Sequence, residues 1–179
     1  MYKAVFLDRD GTITKDATEY YTYKLEDYGI TLGVIEALQN LSKGHKLIVI
    51  TNQGGIAKGE VKLEEYYAFS NYMEKDLAKY GIKFDGIYFC PHRPPISDCE
   101  CRKPKPGMIL QAAKEHDIDL KNSWMIGDKL TDILAGQSAG CKSILVKSGA
   151  NMKSESHLSY VKPDYEVKDL LEASKIILK

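Results

Sequence analysis

Asp8 and Asp10 stand one residue apart in Asp8-Arg9-Asp10-Gly11-Thr12, directly behind the apolar run Ala4-Val5-Phe6-Leu7. A short buried strand ending in two such acids brings both carboxylates to one small region at a sheet edge, where ligands bind in open α/β folds. Two carboxylates about 5 Å apart repel by roughly 3 kcal/mol at an effective dielectric of about 20. A cation or a shared proton is therefore implied, and the pattern points to a nucleophile inside a magnesium site. Asp and Gly also suit helix caps and turns, so the other polar strand ends have to carry the case.

After Leu47-Ile48-Val49-Ile50 come Thr51-Asn52-Gln53-Gly54-Gly55, hydroxyl and amide groups followed by glycines whose N–H groups can approach a phosphate. After Trp124-Met125-Ile126 come Gly127-Asp128-Lys129, with Asp132 at the next helix start. Right-handed crossovers put the first strand between the strands ending at Thr51 and at Gly127, so all three ends meet at the switch point. There Asp8 and Asp128 offer hard oxygens to a divalent ion, and Asp10 can add its backbone carbonyl; magnesium fits such a set. A simple turn at Thr51-Asn52-Gln53, or a helix cap at Asp128 or Asp132, is an ordinary alternative taken singly. Their coincidence at one sheet edge argues against all of them together.

Cys90-Pro91-His92 and Cys99-Glu100-Cys101 gather three thiols and an imidazole in one loop. Soft thiolates with one imidazole in a closed set of four specify tetrahedral zinc in a structural role. Arg102 and Lys103 follow at once, so a metal clamp on the preceding backbone would limit where both cations point. Cys141 opens an apolar strand and reads as an ordinary buried thiol.

The elements that must position these groups alternate. Strands are predicted at 3–7, 46–51, 84–89, 123–127 and 142–146, and helices at 33–43, 63–80, 106–116, 130–139 and 168–178. This is a Rossmann-like, doubly wound parallel α/β sheet in a single domain spanning 1–179. Gly44 and Gly81 suit helix C-terminal caps and Pro106 a first helical turn. Leu63, Tyr66, Tyr67, Met73, Leu77 and Tyr80 form the core-facing stripe of helix 63–80, and residues 148–162 read as a surface loop. Residues 8–45 already contain a helix, which leaves no room for a cap domain, so loops must cover the site. Lys plus Arg equals Asp plus Glu at 25 each, so no bulk field holds nucleic acid or an anionic membrane. No secretory leader or membrane-spanning run is present, and a cytoplasmic monomer acting on a small molecule is expected.

These residues resemble the haloacid dehalogenase superfamily of phosphoryl-transfer enzymes, in its capless form. Asp8-x-Asp10-Gly11-Thr12 matches the first motif, Thr51 the second, Lys103 of Lys103-Pro104-Lys105-Pro106 the third, and Gly127-Asp128 with Asp132 the fourth. The resemblance implies that Asp8 forms an aspartyl-phosphate, that Asp10 is general acid and base, and that Thr51 and Lys103 hold the phosphoryl oxygens. Mg²⁺ would then lie on Asp8, Asp10 and Asp128, and Zn²⁺ on Cys90, His92, Cys99 and Cys101. With the zinc loop, the likeness narrows to the branch of heptose bisphosphate and histidinol-phosphate phosphatases, over the chain to about Gly149. Pro106-Gly107-Met108 leans to the heptose enzymes; the short linker from His92 to Cys99 leans to the histidinol enzymes, and residues 16–32 are slightly expanded. By that match the substrate is a sugar phosphate monoester, the 7-phosphate of a heptose-1,7-bisphosphate, with histidinol phosphate as the alternative. Arg9, Asp16, Asn52, Gln53, Gly54, Arg102 and Lys129 are the implied substrate contacts, and the region to Glu19 is included with Asp16. Arg102, with its planar fork, suits the phosphate that is not cleaved. A mutase would need water shut out by a cap, and a zinc-stabilised phospho-ligand binder would gain from losing the Asp8–Asp10 repulsion. A nucleic-acid 3′-phosphatase would be expected to show a basic groove.

Overall fold

The computed structural model describes residues 1–16, 21–148 and 152–179, the side chains of 152–154 excepted. Strands β1 (Ala4–Leu7), β2 (Lys46–Asn52), β3 (Gly86–Cys90), β4 (Trp124–Gly127), β5 (Lys142–Val146) and β6 (Tyr165–Val167) form one parallel sheet in the order β3-β2-β1-β4-β5-β6. Helices α1 (Val34–Leu41), α2 (Leu63–Ala78), α3 (Gly107–Glu115), α4 (Leu130–Ala139) and α5 (Leu170–Ile177) connect and cover it.

β1 is buried on both faces, which its unbroken apolar sequence demands. Val5 and Leu7 join the core shared with α1, α2 and α5, whereas Ala4 and Phe6 face α3 and α4. A parallel strand so placed must end among other strand ends, and Leu7 pairs with Val49 of β2 and Ile126 of β4. The doubly wound expectation is met, and the polar residues behind these three strands are brought together.

Four local expectations are corrected. On α2 the buried face is Tyr66, Phe69, Ser70, Met73 and Leu77, while Leu63, Tyr67 and Tyr80 are nearly half exposed. Tyr67 lies one residue, or about 100°, round the helix from Tyr66, so the stripe read from the sequence had merged two faces. Gly81 takes left-handed backbone with φ 75°, but Gly44 does not, and the left-handed cap that ends α4 is Gly140 at φ 93°. Pro106 is the N-cap of α3 rather than its first residue. Finally, residues 152–158 form two short 3₁₀ turns separated by a kink at Glu155, and Glu155, Leu158 and Val161 are buried, the two apolar ones against Leu130, Ile133 and Leu145. Polar composition suggested a loop, and tertiary contact made part of it core. The edge strand β6 was not foreseen; three residues are too few to display a period.

Candidate active site

At the end of β1 the ladder runs one residue further, Asp8 N donating to Ile126 O at 2.9 Å, and this fixes the Asp8 backbone against β4. Lys103 reaches in from the loop before α3 and donates to Asp8 Oδ1 at 2.7 Å, Asp132 Oδ1 at 2.6 Å and Ile50 O at 2.6 Å. Three acceptors match the three protons of an ammonium. Such an arrangement offsets the cost of burying a charge that would otherwise be severe. Burial works against the Lys103 ammonium, yet Asp132 and Asp8 outweigh it, and its pKa lies above the ordinary lysine value. Burial likewise pushes Asp8 upward, but Lys103 and Lys129 prevail and hold it below the usual carboxylate range. Asp8 is therefore an ionised carboxylate held in one position.

Asp132 bridges two strand ends. Its Oδ2 accepts from Lys129 N at 3.0 Å while Oδ1 meets Lys103. It folds back over Gly127 so closely that a Cβ there would fall 2.2 Å from Asp132 Oδ2, which makes glycine obligatory. Buried carboxylate oxygens of Asp8, Asp128 and Asp132 all lie within 4.8 Å of one another. Because Asp132 engages both of its oxygens, Asp8 and Asp128 are the better carboxylate donors for a hard cation. An all-oxygen set of this charge fits Mg²⁺.

Asp10 sits beside this centre, held by its neighbours. Arg9 grips it through Nε at 2.8 Å and Nη2 at 3.0 Å, and Gln53 Nε2 donates to it at 2.9 Å. Arg9 was expected to touch substrate; the structure corrects that. Its side chain has no exposed surface, donates also to Thr22 O at 2.8 Å, and lies 4.7 Å from the Phe69 ring centroid. Arg9 is thus behind Asp10 and orients it, as fork-to-fork carboxylate geometry permits. Gln53, 3% exposed, bridges Asp10 and Thr51 Oγ1. Asn52 turns its amide to the Lys103 backbone, donating to Lys103 O at 3.0 Å and accepting from Lys103 N at 3.1 Å. The Gln53 amide thus ties Asp10 to Thr51, and the Asn52 amide holds the Lys103 backbone. Asp8, Asp10, Thr51, Asn52, Lys103, Lys129, Thr131 and Asp132 line one small polar pocket. A larger, shallow groove along α2 near Asn71, Lys75 and Phe84 brings together no comparable set.

Lys129 rises at the pocket rim, 3.6 Å from Asp16 Oδ2. Burial lowers its pKa but Asp128, Asp8 and Asp16 raise it further, so it stays an ammonium. Asp16 also accepts from Thr22 Oγ1 at 3.1 Å, and its pKa is raised by burial. Residues 17–19 of the expected contact region lie outside the described residues.

The Cys/His cluster forms beyond β3. Sγ atoms of Cys90, Cys99 and Cys101 are 3.1 to 3.5 Å apart, and His92 Nδ1 is 3.4 Å from Cys101 Sγ and 3.6 Å from Cys90 Sγ. Four donors around a zinc with bonds of about 2.0–2.3 Å would be separated by roughly 3.5–3.8 Å, close to this set. The cysteines are not disulfide-linked. Burial pushes the Cys90 thiol well up. Cys141 is apart from the cluster, and burial pushes it up to about 12.

The loop is stitched to the pocket. Arg102 Nη1 donates to His92 O at 2.9 Å, and Gln53 N donates to Cys90 O at 2.7 Å. A Cβ on Gly54 would come 3.1 Å from Arg102 Nη1 and 3.3 Å from Arg93 Cβ, so the glycine lets both arginines close over the turn. Arg93, which donates to the Tyr21 hydroxyl, was passed over in the sequence. Its position next to a cluster histidine was the available signal. Thr131 and Glu155 were also missed, the latter because its partners are distant in sequence.

A buried carboxylate flanked by an ammonium, a second acid and hard-cation donors, on a doubly wound sheet, is the arrangement of a phosphoryl-transfer hydrolase. Residues 100–173 match a HAD-hydrolase-like family model. The D-glycero-beta-D-manno-heptose-1,7-bisphosphate 7-phosphatase of Pasteurella multocida is 46% identical over 156 residues, covering 83% of this chain and 84% of that protein. The D-glycero-alpha-D-manno-heptose-1,7-bisphosphate 7-phosphatase of Campylobacter jejuni is 45% identical over 145 residues, 80% of this chain and 81% of that one. The crystal structure of D,D-heptose 1,7-bisphosphate phosphatase from B. bronchiseptica, complexed with magnesium and phosphate, has a TM-score of 0.87 at 30% identity and covers 98% of each chain. The chain belongs to the heptose-bisphosphate phosphatase family of HAD-like hydrolases.

Proposed function

We propose that the protein hydrolyses the 7-phosphate of D-glycero-D-manno-heptose-1,7-bisphosphate through a phosphorylated Asp8. The observation that carries this reading is the Lys103 ammonium at 2.7 Å from Asp8 and 2.6 Å from Asp132 inside a buried pocket. An Asp8 carboxylate oxygen attacks phosphorus, the sugar oxygen leaves with a proton from Asp10, and an aspartyl-phosphate remains. Asp10 then takes a proton from water, whose oxygen attacks the same phosphorus, and inorganic phosphate departs as Asp8 is restored. Thr51 and Lys103 bind the phosphoryl oxygens, and Arg9 with Gln53 keeps the Asp10 carboxylate aimed. Phosphoryl transfer asks mainly for such positioning and charge compensation.

Mg²⁺ held by Asp8, Asp128 and the Asp10 backbone carbonyl would supply charge neutralisation at the phosphoryl group. Zn²⁺ on Cys90, His92, Cys99 and Cys101 would brace the backbone that leads into Arg102 and Lys103. Lys129, Asp16 and Gly54 lie along the sugar, and Arg102, with Arg93 alongside, faces the phosphate that is retained.

Kinetics with both anomers of heptose-1,7-bisphosphate and with histidinol phosphate test the assignment. A higher kcat/KM for one heptose anomer is expected; a preference for histidinol phosphate overturns the substrate. In ¹⁸O-labelled water the label should enter free phosphate, and transfer to a second sugar hydroxyl without labelled phosphate would make the enzyme a mutase.

A further inference from the structure

The connection that leaves β5 touches both turns that carry the chemistry. Ser148 Oγ donates to Gly11 O at 2.9 Å, in the turn that follows Asp8 and Asp10. Further along, the Glu155 carboxylate, 8% exposed, accepts from Leu130 N at 2.5 Å and from Thr131 Oγ1 at 2.9 Å. Leu130 and Thr131 open α4, immediately after Asp128 and Lys129. A helix start leaves N–H groups without internal partners, and an anion there is favoured by the helix dipole. The local N-cap, Lys129, makes no side-chain hydrogen bond of that kind. Glu155 supplies it from a residue distant in sequence, and its apolar neighbour Leu158 packs on Leu130 and Ile133 of the same helix.

We propose that Glu155 is a positioning residue for phosphoryl transfer: by anchoring Leu130 N and Thr131 Oγ1 it fixes the turn that presents Asp128 and Lys129 to the pocket. This rests on the roles given above to Asp128 and Lys129. The carboxylate does not line the pocket among the described residues, so it acts through the turn. Asp132 already ties Lys129 N from one side, and Glu155 ties the next amide from the other. With both ties the Asp128–Thr131 turn has one arrangement; with one, the backbone torsions at Lys129 and Leu130 are freer to change and shift Asp128 and Lys129 relative to Asp8. Outer partners of this kind alter activity by about 10–100-fold when removed.

The test compares Glu155→Ala and Glu155→Gln with wild type in heptose-bisphosphate hydrolysis at saturating Mg²⁺, with thermal unfolding and hydrogen exchange at the Leu130 amide measured alongside. Glu155→Ala should lower kcat about tenfold or more with KM changed less than about threefold, and the Leu130 amide should exchange faster. Glu155→Gln keeps volume and one acceptor oxygen, so it should recover to within about threefold of wild type in kcat and restore amide protection. A purely structural cap would lower Tm and leave kcat per folded molecule unmoved, which overturns the proposal. Should the alanine variant fail to fold, Glu155→Met, which keeps volume and removes both acceptor oxygens, takes its place: a fall of about tenfold in kcat is then expected, and wild-type kcat with a faster-exchanging Leu130 amide overturns the proposal equally. Asp8→Asn is run in parallel. If that variant keeps activity, the catalytic assignment falls and takes this inference with it; if it is inactive while the Glu155 variants match wild type, only this inference falls.

Discussion

The centre at the strand ends and the Cys/His cluster beyond β3 are both knots of titratable groups, but they are built in opposite ways. At the strand ends, Asp8, Lys103 and Asp132 are almost wholly buried, and one ammonium lies within 2.7 Å of both carboxylates. The Asp8 backbone is locked against β4, Asp132 stands in the first turn of α4, and Lys103 comes from the loop before α3. The Cys/His cluster lies on irregular chain, with Cys99, Cys101 and His92 only partly buried, and its donors repeat one kind of chemistry rather than complementing each other. In the first knot an ammonium already compensates part of the negative charge. In the second, three thiols and an imidazole converge with no opposite charge among them. Rigid strands position the reacting atoms, and the loop, tied in through His92 O, Cys90 O and the Asn52–Lys103 pair, delivers one ammonium to them.

The sharpest break of this contrast is Asp8→Asn, which removes the attacking oxyanion and leaves packing intact; phosphate release should fall by about 10³-fold or more while the circular dichroism spectrum is unchanged. Lys103→Met comes next and strikes the same knot by leaving Asp8 and Asp132 facing each other without a cation. Breaking a buried pair in this way costs about 3–5 kcal/mol, measurable by urea denaturation. The pH dependence carries the same signature. Lys103 and Lys129 hold the Asp8 carboxyl below the ordinary aspartate value against burial, so its stabilisation is present above that value and lost as pH falls through the lower folded pKa. In Lys103→Met burial is less opposed, the Asp8 pKa rises, and the onset of acid destabilisation should move to higher pH; an unmoved acid limb would contradict the pairing.

Zinc chelation should act only on the second knot. The α/β core should remain folded by circular dichroism while turnover drops about tenfold or more, and full turnover in a verified zinc-free sample would remove the link between loop and pocket. Asn52→Ala should cut that link more gently, with a loss of about 1–2 kcal/mol in transition-state stabilisation read from kcat/KM. Smallest of all is Cys141→Ala, which lies outside the cluster and should leave zinc content and activity as they are.

Much of the first knot was legible because a parallel sheet makes strand order and strand ends nearly deducible: an apolar run followed by Asp8, Thr51 or Asp128 states both where the strand stops and what stands there. The cysteine spacing was legible for a similar reason, since four soft donors in one loop have few other uses. Arg9 was not. Its neighbours in sequence, Asp8 and Asp10, line the pocket, and only the packing of Phe69 and Tyr66 from α2 shows that the guanidinium points inward. Asn52 and Gln53 were read as substrate contacts because an amide after a strand looks the same whether it faces ligand or backbone.

Local sequence determined the identity and order of the reacting groups, because the chemistry of a side chain and the period of a strand are written residue by residue. Which groups meet the substrate and which hold their neighbours was decided by tertiary contact alone. Arg9 behind Asp10, Asn52 on the Lys103 backbone and Glu155 beneath α4 are pairings whose partners come from other elements, or whose direction is set by what packs around them. A hydrogen bond or an ion pair depends on distance and angle, and sequence spacing fixes neither once the chain has turned back on itself.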